Sequence, residues 1–188
     1  MAKIGLNNFR YSLLTESETG TPTYAGAKKP AKAISCKVSV STSSASLYAD
    51  DAQAESDTSF SGGTVTIGID EDDNATMAEL LGHTLEPDGG ELVRNANDVA
   101  PYVGLGRVVV KMINGKVKYK VEFLNKVKFS EPSQEDKTKG ENVEFATTEL
   151  EGKISTLADG QWSKSKTFDT QADAIKYLEG LMAKTVGQ

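Results

Sequence analysis

The densest set of potential metal ligands in this chain of 188 residues is Asp70-Glu71-Asp72-Asp73-Asn74. Closely spaced carboxylates wrap calcium in an EF-hand loop only when Gly at the sixth position allows a sharp turn and Glu at the twelfth closes the shell. Here those positions hold Ala75 and Leu81, so the pattern fails. Acids just ahead of a helix have a plainer role, because they meet the positive end of its dipole. Gly104-Leu105-Gly106 looks like a fragment of a dinucleotide loop, but the third glycine is missing and Arg107 to Val110 continue as strand, so nothing cradles a phosphate. No phosphate loop ending in Lys-Ser or Lys-Thr occurs, and no Gly-x-Ser-x-Gly elbow.

A catalytic triad would have to use the single histidine, His83, which follows a helix stop signal and reads better as a surface or capping residue. The single cysteine, Cys36, shares the inward parity of Ile34 and Val38 and reads as a small buried hydrophobe. One His and one Cys cannot supply a common zinc site, and one Cys cannot form an internal disulfide. Asn74-Ala75-Thr76 matches a glycosylation sequon, read here as a chance match because no secretory signal accompanies it. Trp162, Lys164, Lys166 and Phe168 could form a stripe for single-stranded nucleic acid, but strand packing explains them better in an acidic chain. The expectation is a protein without catalytic, metal or cofactor site.

Charge is more telling. Lys and Arg total 21 and Asp and Glu 27, a net of −6, with pI near 4.9. That balance argues against tight binding to nucleic-acid phosphates or an anionic membrane. From Val38 to Val93 there is no Lys or Arg, and 12 acids stand there, so the rest of the chain holds 15 acids against 21 bases. If these pieces lie on different faces, copies can meet head to tail with opposite signs in contact, the geometry of rings and filaments. The plainer reading is that the acids solvate loops. No apolar run approaches the length of a membrane span, and MAKIGLNNFRYSLL lacks a signal-peptide block, so the expectation is a soluble protein made in the cytoplasm.

The elements that must carry these residues are mostly strands. Residues 33 to 42 alternate with Ile34, Cys36, Val38 and Val40 on one face, and 64 to 70 with Val65, Ile67 and Ile69. KVKYKVEF from Lys116 places Val117, Tyr119, Val121 and Phe123 inward and Lys116, Lys118 and Lys120 on the opposite face, which points outward or into a subunit contact. With Arg107 to Ile113 before it and Asn114-Gly115 as a tight turn, it predicts a long antiparallel hairpin. Residues 143–157 and 161–168 are further strands. Thr76-Met77-Ala78-Glu79 reads as a capping box opening a short helix that Gly82 stops. Thr170 with Asp173 opens a C-terminal helix, within 169–184, whose stripe is Ile175, Leu178, Leu181 and Met182 and whose Gly180 leaves its end dependent on packing. Residues 15–32 read as an extended arm, 41–63 as a long hairpin tip or inter-strand loop, and 130–142 as a polar loop. No repeat at solenoid periods is present.

The strings MAKIGLNNFRYSLLTE, TPTYAGAKKPAKAISCKVSVS, SLYADDAQAESDTSFSGGTVTIGIDEDD and ATMAELLGHT together resemble the major tail proteins, or tail tube proteins, of long-tailed non-contractile bacteriophages of Gram-positive bacteria. The resemblance is closest over the first 85 or so residues, LYADD and GIDEDD being its most specific pieces, and runs loosely to the C-terminal helix. It implies a single domain over 1–188: an antiparallel β-sandwich or barrel flanked by a short helix and a C-terminal helix, with an N-terminal strand and arm over 1–32. It also implies a virion protein whose hexameric rings stack into the tube through which phage DNA leaves, with tape measure and tail terminator proteins as partners. In that family a long loop and terminal arms tie successive rings. On this chain the loop matches Ser41 through Gly63, with Tyr48, Asp50, Asp51, Glu55 and Asp57 as stacking residues, and the arm offers Lys28, Lys29 and Lys32.

Resemblance and charge agree that an acidic bore lets DNA pass without tight binding, whereas a basic wall would hold it through counterion release. A closed ring also removes the exposed strand edges of an all-β subunit. Two other classes compete: an acidic, calcium-dependent surface or adhesion module, and a hydrolase centred on His83 with a perturbed carboxylate beside it. A tube subunit of a phage-derived bacteriocin shares the same subunit physics.

Overall fold

A computed structural model describes residues 2–16, 22–30, 33–49, 52–70, 73–88, 90–133 and 147–183; for 2–4, 45–49 and 52–57 the backbone alone is described. The elements in chain order are β1 (Ala2–Glu16), β2 (Pro22–Tyr24), β3 (Ala33–Ala49), β4 (Ala52–Ile69), α1 (Asn74–Leu81), β5 (Thr84–Leu85), β6 (Leu92–Val93), β7 (Tyr102–Ile113), β8 (Lys116–Phe129), β9 (Thr148–Ser155), β10 (Ser163–Phe168) and α2 (Gln171–Met182). The protein is mainly β and antiparallel, a sandwich with two helices among the described residues. Its main sheet runs β2-β1-β7-β8-β9-β4-β3, with β10 also on β8, and β5–β6 form a small separate ladder.

The Asn114-Gly115 turn does what its composition demands. Both residues have positive φ, 50° and 74°, and they close β7 on β8 in unbroken register from Leu105–Leu124 to Ile113–Lys116. Alternation then separates two cores. On one side Val103, Leu105, Leu124, Val127 and Phe129 meet Val65, Ile67 and Ile69 of β4 and Leu150 and Ile154 of β9, with Met77, Leu80 and Leu81 of α1 against the same cluster. On the other side Val108, Val121 and Phe123 meet Ala174, Leu178 and Met182 of α2. The helix sits directly on the strands because Gly106 has no side chain: a Cβ there would lie 2.3 Å from Leu178 Cδ1 and 2.9 Å from Met182 Cε.

Both helix ends follow capping rules, one of them shifted from the sequence reading. Thr170 caps α2, its Oγ1 accepting from the Asp173 amide at 3.2 Å, and the helix is Gln171–Met182 within the expected 169–184. At α1 the box expected at Thr76 is displaced: Asp73 has the extended backbone of an N-cap and accepts from the Thr76 amide at 3.1 Å, so the helix begins at Asn74. Gly82 ends α1 at φ 78°, as its position foretold.

The polar stretches differ from the reading as loops. Residues 41–49 and 52–63 continue the β3–β4 ladder from Ser41–Gly62 out to Ala49–Ala52, so the hairpin-tip alternative is the one found and the loop is replaced by paired strand. The arm expected over 15–32 folds back instead: β1 continues to Glu16, Pro22–Tyr24 pair with its Leu14–Glu16 end, and the Tyr11 and Lys28 backbones exchange hydrogen bonds of 2.9 and 2.8 Å. Three residues expected to face inward are exposed. Ile34 turns outward beside a register shift between Ala33 and Ser35, Val40 stands opposite Gly63 where the β4–β9 ladder ends, and Val117 lies next to the turn of the β7–β8 hairpin.

Candidate assembly surface

Outward of Gly63, β4 leaves β9, whose ladder with it spans Gly63–Ile69. From Thr42–Phe60 to Ala49–Ala52 the β3–β4 pair therefore runs as a two-stranded ribbon, with no third strand beside it among the described residues. At 3.3–3.4 Å per residue its eight-residue β3 edge reaches about 26 Å. At its root Phe60 stacks on Trp162 with ring centroids 4.8 Å apart, while Ser41 to Ser44, Thr58 and Ser59 are exposed.

Of the expected stacking residues, Tyr48 stands opposite Gln53, Glu55 opposite Leu47 and Asp57 opposite Ala45 in the ladder. Asp50 and Asp51 lie outside the described residues, as does Lys32 of the arm. Lys28 is engaged within its own chain: its ammonium pairs with Glu79, which also accepts from the Tyr11 hydroxyl at 2.8 Å. Burial alone would raise the Glu79 pKa, but the hydrogen bonds from Lys28 and Tyr11 outweigh it and hold the carboxyl below its usual range. Lys29 is exposed.

Sheet edges are the second feature. Among the described residues β3 pairs with β4 alone and β10 with β8 alone, so each has an outer edge with no further strand beside it, although Arg107 holds the β3 edge at the Cys36 carbonyl. Such edges are templates for another chain unless they are covered.

Where the two layers meet, an ion cluster was not legible in the sequence. Arg107 on β7 and Glu122 on β8 stand opposite each other and pair at 2.7 Å, Lys120 reaches the other Glu122 oxygen at 2.8 Å, and Arg107 Nη1 donates to the Cys36 carbonyl of β3 at 3.1 Å. Cys36 packs half-buried against the core beside Val38, as its parity implied but not fully enclosed, and its sulfur lies 2.7 Å from the same guanidinium nitrogen. Burial opposes the Glu122 charge, but hydrogen bonds from Lys120 and Arg107 prevail and its pKa is pushed down to about 2. Parity placed Lys120 on the face opposite Val121 and Phe123, which Glu122 shares; the partner on β3 lies 71 residues from Arg107 and left no local signal.

His83 has carboxylates at both nitrogens. Nδ1 is 2.8 Å from Asp98 Oδ2, and Nε2 lies close to Glu131 but out of line for a hydrogen bond. The side chain is 4% exposed, so the ring joins the end of α1 to the following loop and to the end of β8. Asp98 is held below its usual carboxylate range by the Asn95 backbone N–H first and by His83 second. Among the described residues no group of three or more His, Cys, Asp or Glu could hold a metal ion, and Glu71 and Asp72 of the acidic run lie outside them. No helix of the described residues is long and apolar enough to cross a membrane. No protein-family profile and no curated protein matches this chain.

Proposed function

We propose that this chain is a self-assembling structural subunit whose copies join through the β3–β4 ribbon, and that the assembly is the stacked-ring tube of a long non-contractile phage tail. The observation that carries the reading is the ribbon. A two-stranded hairpin standing alone is marginal in water, and this one has exposed Ser and Thr rather than a buried face at its described positions. Its backbone ladder makes sense when a second copy covers it.

The open edges of β3 and β10 fit the same reading, since ring closure would pair or cover them. So does the division of charge, with 12 acids and no base between Val38 and Val93. Hexameric rings, a DNA conduit, tape measure and terminator partners and a place in the virion come from the sequence resemblance. An acidic bore would repel phosphates and let the duplex slide.

The test is electron microscopy and sedimentation velocity of the purified protein at rising concentration, beside a variant in which residues 45–57 are replaced by Asn-Gly. Rings or tubes from the parent and monomers from the shortened chain are expected. A parent that stays monomeric throughout, sedimenting as the shortened chain does, overturns the reading.

A further inference from the structure

We infer that the basic face at the turn end of β7–β8 is the receptor for the acidic β3–β4 ribbon of a second copy. The inference rests on the self-assembly reading and names the surface that reading needs.

Directly opposed residues of an antiparallel pair share a face. The pairs Arg107–Glu122, Val109–Lys120, Lys111–Lys118 and Ile113–Lys116 therefore form one continuous face, and Lys3 of β1 stands opposite Lys111 in the neighbouring ladder. Lys111 and Lys118 are like charges side by side, an arrangement that destabilises a sheet unless counter-charge arrives. Part of it comes from the chain itself: Asp169 pairs with Lys118, and Glu122 with Lys120 and Arg107. Among the described residues neither Lys111 nor Lys116 has an ion pair, although Asp169 also feels Lys116. The face keeps a positive excess over an apolar floor of Val109, 6% exposed, and half-buried Ile113.

The second layer covers this face at Arg107, and from there its hairpin departs toward the other end of the β7–β8 strands. Cys36 of β3 sits over Arg107, whereas farther along the same hairpin Phe60, opposite Thr42, lies on Trp162, whose carbonyl accepts from the Asn125 amide of β8. Travel from Cys36 to Thr42 thus leads away from the Asn114-Gly115 turn, and Lys111, Lys116 and Lys118 lie on the turn side of Arg107. The ribbon, which carries Glu55 and Asp57 and no Lys or Arg, points away from its own chain's lysine face. A second copy set head to tail can present it there, and the contact, being heterologous, repeats along an axis. Lys28 is the weaker receptor because Glu79 already neutralises it.

Two charge-reversed variants test this: Lys111→Glu with Lys116→Glu, and Glu55→Lys with Asp57→Lys, each first shown to melt like the parent. Assembly is followed by sedimentation at about 50 and 500 mM NaCl, salts chosen to bracket strong and weak screening. Each variant alone should need at least about tenfold more protein to assemble at low salt, and an equimolar mixture should recover the parent's behaviour, because every contact then joins opposite signs. A parent that never assembles removes the self-assembly reading and this inference with it. A parent that assembles while the lysine variant does so equally well, or a mixture that fails to recover, overturns the inference alone. Loss of duplex-DNA binding in the lysine variant with assembly intact assigns the face to a polyanion instead and overturns it as well.

Discussion

Two long hairpins meet in this protein and are held by different physics. β7–β8 is roofed on one face by α2 and floored along much of the other by the β4–β9 layer, so Phe123, Val121 and Val108 are almost wholly buried. β3–β4 shares that burial only near its base, at Val65, Ile67 and Ile69, and then runs on as a ribbon of small polar residues. Side-chain packing dominates the first hairpin; in the outer part of the second the observed ties are backbone hydrogen bonds, one ring stack and one exposed hydroxyl pair. The β7–β8 hairpin therefore contributes side chains to both cores, whereas the outer part of β3–β4 contributes to neither beyond Phe60.

Substitutions should separate the two. Phe123→Ala removes the ring packed edge-on to Tyr24 at 5.3 Å, and should lower stability by about 3–5 kcal/mol and the melting temperature by about 10 °C in a thermal scan. An effect below about 1 kcal/mol would mean that the hairpin is not the anchor described.

Next in size is the interlayer cluster. The Glu122 pKa is lowered from its ordinary 4.5 to about 2 in the folded protein, so the ionised form stabilises the fold above about pH 4.5 and that contribution is lost as pH falls toward 2. Glu122→Gln should lower stability by roughly 2–3 kcal/mol at pH 7, with the gap to the parent closing as pH drops from 5 to 2 in denaturant titrations. A gap that stays constant with pH would assign the loss to packing.

Thr170→Ala, which removes the cap of α2, should lower stability by about 1 kcal/mol, and Thr170→Asp should restore it. Smallest of all, Ser43→Ala with Ser59→Ala breaks an exposed hydroxyl pair at 3.0 Å in the ribbon and should move stability by less than about 0.5 kcal/mol. A large loss there would show that the ribbon supports the fold and would erase the contrast between the hairpins.

The contrast also explains what could be read beforehand. The β7–β8 hairpin, the strands β9 and β10, the cap of α2 and the stop at Gly82 were legible because each leaves a local mark: alternation, Asn-Gly, a Thr with Asp three residues on, a Gly with positive φ. The ribbon leaves no such mark, because Ser, Thr and Ala carry no period-two apolar signal and the strand state there comes from the opposite strand. The arm resembled a free segment for the same reason, since Lys28 is tied to Tyr11 and Glu79 by contacts spanning 17 and 51 residues. The box at Thr76 misplaced the start of α1 because Thr and Asp compete as caps three residues apart, and Asp73 took the extended backbone.

Local sequence determined the β7–β8 hairpin and its tight turn, the inner parts of β3 and β4, the presence of both helices, and that all the Lys and Arg lie outside Val38 to Val93. Tertiary structure alone decided that Arg107 and Glu122 join across to Cys36, that the segment after Glu16 folds back, and that Lys111 and Lys118 stand side by side. The physical reason is range. Backbone preference and alternation act over a few residues, whereas the pairing of distant strands and the placing of charge on a surface follow from which layers can bury their apolar faces together.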